Sequence, residues 1–207
     1  MLKGKKLYLV TDEALSEPLG VIPTVEEAIR GGVHMVQLRD KTGSTRKLID
    51  TASALLKLTR PAGVPLLIND RVDVALATGA DGVHIGQSDM PYPMARKLMG
   101  PKAIIGLSIE TRQQLLEANQ WADLDYVALS PVYPTSTKKD IAPAFRLAGI
   151  HWAKAHTPHY LVGIGGLGNH NISSACEAGL EGIAVVSAIC GKSNPRAATQ
   201  ELIQKLC

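Results

Sequence analysis

Two cations and an amide alternate in the run Gln37-Leu38-Arg39-Asp40-Lys41. In an extended chain this spacing puts Gln37, Arg39 and Lys41 on one side. Such a set suits an anionic phosphate group; a solvated rim with surface ion pairs is the alternative. Two further runs finish in carboxylates, Ile68-Asn69-Asp70 and Gly86-Gln87-Ser88-Asp89. Carboxylates brought together at neighbouring strand ends are unfavourable unless a cation or a proton sits between them. Hard oxygen ligands with room for water and phosphate oxygens are what Mg2+ prefers. Asp70 and Asp89 also each precede a helical pattern, and capping it is the competing role. Residues 130–140 hold two prolines, several hydroxyls and Lys138. They read as a long loop that could close over a bound anion, or as a turn with exposed lysines. The runs Gly163-Ile164-Gly165-Gly166 and Val185-Val186-Ser187 offer backbone N–H groups for close approach to an anion.

What must position these residues is an alternation of short β-branched runs with amphipathic stretches. Strands are expected over 6–12, 33–40, 65–70, 82–89, 103–108, 126–131, 160–166 and 182–189. Helices are expected over 44–58, 111–122 and 194–206, the first with Leu48, Ile49, Ala52, Leu55 and Leu56 on one face. Strands followed by helices imply βαβ units and a parallel sheet. Eight such units in one chain of 207 residues predict a (β/α)8 TIM barrel over residues 1–207, with an open doubly wound sheet as the competing architecture. In the barrel, the polar residues above gather at strand C-terminal ends, where such folds carry their chemistry.

Composition narrows the function classes. Hydrophobic residues make up 45% and charged residues 20%, which excludes a disordered or highly charged tail protein. A net charge of +3 is too slight to argue for nucleic acid. No apolar run approaches the roughly 20 residues that span a bilayer. The first residues lead straight into a strand-like run without a signal-peptide pattern, so a cytoplasmic protein is expected. Cys176, Cys190 and Cys207 lack metal or disulfide spacing and read as reduced thiols. Among the six histidines there is no metal-binding pattern, and His34 and His84 read as packed or hydrogen-bonded core residues. With no nucleophile elbow and no cysteine near a partner histidine, a nucleophile-based hydrolase is disfavoured.

Taken together, the ordered segments resemble the thiamine phosphate synthase (thiamine-phosphate pyrophosphorylase) family. They are Tyr8-Leu9-Val10-Thr11-Asp12, Gln37-Leu38-Arg39-Asp40-Lys41, Ile68-Asn69-Asp70-Arg71, Gly82-Val83-His84-Ile85-Gly86-Gln87-Ser88-Asp89, Gly106-Leu107-Ser108, Pro134-Thr135-Ser136-Thr137-Lys138, Gly163-Ile164-Gly165-Gly166 and Val185-Val186-Ser187-Ala188-Ile189. The resemblance implies a barrel that joins hydroxymethylpyrimidine diphosphate to hydroxyethylthiazole phosphate, releasing pyrophosphate, with Mg2+. It implies that Gln37, Leu38, Arg39, Asp40, Lys41, Asn69, Ser108 and Lys138 hold the pyrimidine diphosphate, with Arg39, Lys41, Ser108 and Lys138 catalytic. It assigns Asp70 and Asp89 to the metal, and Thr135, Ser136, Thr137, Gly166, Val186 and Ser187 to the thiazole phosphate. Ser130 stands where the family commonly has glycine.

The chemistry agrees with the residues. A thiazole nitrogen carries no proton, so joining it to a pyrimidine methylene needs no general base and no enzyme nucleophile. The site must stabilise departing pyrophosphate and keep water from a cationic methylene. A thiazole tautomerase would not need the full charged set, and a Schiff-base aldolase wants a lysine buried within a strand. A non-catalytic phosphate sensor could dispense with the paired aspartates. No protein partner is expected beyond a possible homo-oligomer.

Overall fold

Eight short strands pair in parallel in chain order, and the eighth returns to pair with the first, so the sheet closes into a barrel. The computed structural model describes residues 2–4, 6–135 and 143–206. The strands are β1 (Lys6–Val10), β2 (Met35–Leu38), β3 (Leu66–Asn69), β4 (Gly82–Ile85), β5 (Ile104–Ile109), β6 (Tyr126–Leu129), β7 (Tyr160–Ile164) and β8 (Gly182–Val185). Helices α1 (Val21–Arg30), α2 (Thr45–Thr59), α3 (Val72–Thr78), α4 (Tyr92–Met99), α5 (Arg112–Ala118), α6 (Arg146–His156), α7 (Ile172–Glu177) and α8 (Pro195–Gln204) alternate with them. The expected TIM barrel is the observed one. Apart from β5, which keeps its expected length one residue further on, the strands are shorter than expected, mostly because their last residues leave the ladder for the loops at the barrel mouth.

Helix starts follow local chemistry. Ser44 accepts from Lys47 N–H at 3.2 Å, and Asn194 accepts from Ala197 N–H at 2.9 Å. Thr111 accepts from Gln114 N–H while the Gln114 side chain accepts from Thr111 N–H, a reciprocal cap. These caps open three helices within a residue of where the sequence places them.

Strand alternation divides the core in two. Leu7, Leu9, Val36, Leu38, Leu66, Ile68, Val83 and Ile85 point outward and pack under the helices. Tyr8, Val10, Met35, Leu67, Tyr126, Ala128, Val162 and Ala184 fill the barrel interior. Among the described residues no helix is long and apolar enough to cross a membrane.

Candidate active site

A cavity of about 420 Å3 opens at the C-terminal ends of the strands. Its floor is the top of the inner core. The ends of all eight strands contribute, from Tyr8 and Val10 on β1 to Ala184 and Val185 on β8.

The floor is polar although deeply buried. Gln37 donates through its side-chain nitrogen to the Tyr8 hydroxyl. Tyr8 and Tyr126 hydroxyls lie 2.9 Å apart, Tyr126 meets His84 Nδ1 at 2.9 Å, and His84 Nε2 meets Ser108 Oγ at 2.8 Å. The His84 and Tyr126 rings also stack, with centroids 5.6 Å apart. Burial pushes the His84 pKa down to about 4, so the ring is neutral at physiological pH. Burial likewise raises the Tyr8 and Tyr126 hydroxyls far from ionisation.

Alternation along β2 and its exit brings Gln37, Arg39 and Lys41 to the cavity, as the sequence predicts. Arg39 is held from behind. The buried Thr11 hydroxyl accepts from Arg39 N–H at 3.0 Å, and the Asp12 carboxylate lies 3.8 Å from the guanidinium. The Lys41 ammonium lies 3.4 Å from Asp70 Oδ2.

Asp70 takes a left-handed backbone, φ +63°, which Asp tolerates better than most residues. Its N–H donates to His84 O at 2.8 Å, fixing the end of β3 against β4. Asp89 Oδ2 accepts from Gly86 N–H at 2.7 Å. Partial burial, with the Asp89 carboxylate beside it, raises the Asp70 pKa to about 6; Lys41 opposes this. Neither aspartate caps the next helix: Arg71 and Pro91 stand at those N-caps, with no side-chain cap bond. Among the described residues no three His, Cys, Asp or Glu side chains gather into a metal cage. A carboxylate pair that resists double ionisation is nevertheless a donor set that a divalent cation would relieve, with water and phosphate oxygens completing its shell.

Asn69, Ser108, Thr135, Gly166, Val186 and Ser187 all line the cavity. So does Ser130, whose hydroxymethyl group therefore sits at the mouth. Gly165 and Gly166 have φ of +95° and +64°. A Cβ on Gly166 would lie 2.7 Å from Pro134 O, so the glycine keeps two loops in close approach. Two expected contributors do not bring their side chains to the cavity. Leu38 has the opposite parity and is buried under the helices. Asp40 ties its own turn instead, accepting from Thr42 N–H at 3.0 Å and Gly43 N–H at 2.7 Å. Ser136, Thr137 and Lys138 lie outside the described residues.

Sequence reasoning did not assign Tyr8, Tyr126, Gln87 and Glu110 to the cavity, and it placed His84 in the core without linking it to Ser108. Tyr8, His84, Gln87 and Glu110 line the cavity, and Tyr126 is bonded to Tyr8 and His84 of that lining. The available signal was parity: Tyr8, His84, Ser108 and Tyr126 each fall on the inward side of their strand.

Residues 7–189 match the family described as thiamine monophosphate synthase. A thiamine-phosphate synthase of Vibrio parahaemolyticus is 46% identical over 202 residues, covering 98% of both chains. One from Azorhizobium caulinodans is 46% identical over 196 residues, covering 95% of this chain and 92% of that one. The solved thiamine phosphate pyrophosphorylase of Pyrococcus furiosus superposes with a TM-score of 0.88 at 36% identity, covering 97% of this chain and 95% of that one.

Proposed function

The chain belongs to the thiamine monophosphate synthase family and catalyses thiamine phosphate formation, a transferase reaction of thiamine biosynthesis, and from that premise we propose how its own residues do so. Arg39 and Lys41, with Lys138, hold the diphosphate of the hydroxymethylpyrimidine substrate. Gln37, Asn69 and Ser108 seat the rest of that molecule. Thr135, Ser136, Thr137, Gly166, Val186 and Ser187 hold the thiazole phosphate.

One observation carries the reading: Arg39 and Lys41 share a cavity with Asp70, Asp89 and Glu110. Among the described lining residues, two cations face three carboxylates. An anionic diphosphate entering that mouth would meet net repulsion. We assign Mg2+ to Asp70 and Asp89; when bound, it supplies the positive charge that stabilises departing pyrophosphate. Arg39, and Lys41 beside Asp70, add positive charge to the same end.

The reaction we assign is dissociative. The methylene C–O bond breaks and its electron pair leaves with pyrophosphate. The thiazole nitrogen then gives its lone pair to the cationic methylene, and no proton changes hands. The cavity's role is to hold both partners in line and keep water away. Cys176 and Cys190 are buried thiols, in keeping with the cytoplasmic location we propose.

Incubation with both substrates and Mg2+, followed by assay for thiamine phosphate, tests this reading. Product should appear only when both substrates are present. Pyrophosphate release without thiamine phosphate would overturn it.

A further inference from the structure

Ser108 and His84 stand 2.8 Å apart at the cavity floor, the spacing of a hydroxyl nucleophile and its activating base. The rest of the chain of bonds points the other way. We propose that His84 and Tyr126 are positioning residues: the string Gln37–Tyr8–Tyr126–His84–Ser108 runs in one direction, His84 donates through Nε2–H to Ser108, and the Ser108 hydroxyl proton is turned into the cavity to meet a lone-pair acceptor of the pyrimidine diphosphate.

The direction follows from the first link. The Gln37 side-chain nitrogen donates to the Tyr8 hydroxyl oxygen, and an amide nitrogen accepts nothing in return. Tyr8 then has its own buried proton to satisfy, and its other partner, Tyr126 at 2.9 Å, is the acceptor that does so. Tyr126, having accepted, gives its proton to His84 Nδ1 at 2.9 Å. A neutral imidazole with Nδ1 bare carries its proton on Nε2, and that nitrogen faces Ser108. Ser108 Oγ thus receives a hydrogen bond and has one proton left to give.

Neutrality agrees with the setting, since His84 is only 8% exposed and both of its ring nitrogens face hydroxyls. Two charged groups reach the string, Asp89 at the His84 ring and Asp125 at Tyr126. For His84 to act as base toward Ser108, Nδ1–H would have to donate to Tyr126 and Tyr126 to Tyr8, leaving the buried Tyr8 proton without an acceptor unless Gln37 turned its carbonyl oxygen to it. Both ends of the string, Gln37 and Ser108, line the same cavity. The polarity imposed at one end is therefore felt by a ligand at the other.

The role given to Ser108 rests on the substrate assignment above, whereas the polarity of the string does not. Nitrogen-15 NMR of histidine-labelled, ligand-free protein separates the two. His84, identified by loss of its signals in His84→Gln, should show a pyridine-type Nδ1 and a pyrrole-type Nε2 at neutral pH. The reverse tautomer, or an imidazolium, would overturn the proposal. In Tyr126→Phe the donor to Nδ1 is gone, and the ring should exchange between both tautomers; an unchanged pattern also counts against it.

Turnover supplies the functional arm. His84→Gln keeps an N–H donor within reach of Ser108 and should retain kcat within about threefold. His84→Leu should lose about tenfold or more, the worth of one or two hydrogen bonds. Equal losses in the two variants, both folded by circular dichroism, would overturn the positioning role. The expected tautomer together with no thiamine phosphate synthesis by the parent protein would leave the polarity standing and overturn the substrate assignment.

Discussion

Tyr126 occupies the volume that any side chain at position 106 would need: a Cβ on Gly106 would lie 1.9 Å from Tyr126 Cζ and 2.3 Å from its hydroxyl oxygen. The missing side chain on β5 is what admits the ring on β6 to the barrel interior. That ring in turn reaches Tyr8 on β1 and His84 on β4. One glycine thus sets the floor of the cavity.

Gly106→Ala should therefore displace the Tyr126 ring and strain the inner core. Overpacking of this kind costs about 1–3 kcal/mol. Urea unfolding should show a lower midpoint at unchanged slope, and kcat should fall with it. A variant as stable and as active as the parent would mean that the ring has room elsewhere.

Asp70 gives two pH trends of opposite sign. Its folded pKa of about 6 lies above the usual value of about 4. The metal-free fold therefore favours the neutral acid, and this contribution is complete below pH about 4 and lost as pH rises through about 6. Metal binding requires the ionised form, so divalent affinity and turnover should fall as pH drops through the same range. Asp70→Asn should melt higher than the parent in chelator at pH 8, the gap closing at pH 4, and should lose on the order of a hundredfold in kcat. Full parent activity in excess chelator would refute the metal assignment.

At Gly166 the consequence of an added methyl is local. The φ of +64° makes any other residue strained by about 1–3 kcal/mol, and the new Cβ would press on Pro134 O. Gly166→Ala should raise KM for the thiazole phosphate about tenfold or more and leave KM for the pyrimidine diphosphate nearly unchanged. Equal damage to both would show that the two substrates do not have separate seats.

The dissociative step has its own test. An electron-withdrawing group in place of the pyrimidine methyl destabilises the methylene cation and should slow the chemical step by orders of magnitude, while affinity changes little. Single-turnover rates on the two pyrimidines decide it. Near-equal rates with chemistry rate-limiting would point to concerted displacement.

Much of this was legible from strand periodicity. Alternation alone put Gln37, Arg39 and Lys41 on one side, and the same rule, applied strictly, sends Leu38 and Asp40 to the other. The family resemblance placed those two with the substrate by position in a motif, and a motif does not distinguish faces. The capping role for Asp70 failed because its left-handed backbone turns the residue away from α3, a conformation no spacing rule reveals. The buried string was hidden for a different reason. Tyr8 and Tyr126 are 118 positions apart, and their contact exists only once the barrel has closed. Nor does the sequence mark Gly106 as a vacancy made for a neighbour.

The inner and outer clusters set different terms for change in this chain. Under the helices, Leu7, Leu9, Val36 and Ile68 answer only to volume, and apolar exchanges there can drift in compensating pairs. Inside the barrel, Tyr8 fills the core and also lines the cavity, so a change made there for packing is a change for recognition as well. New specificity in such a molecule has to arrive at the rim, through residues such as Ser130 that touch the cavity without supporting the floor beneath it.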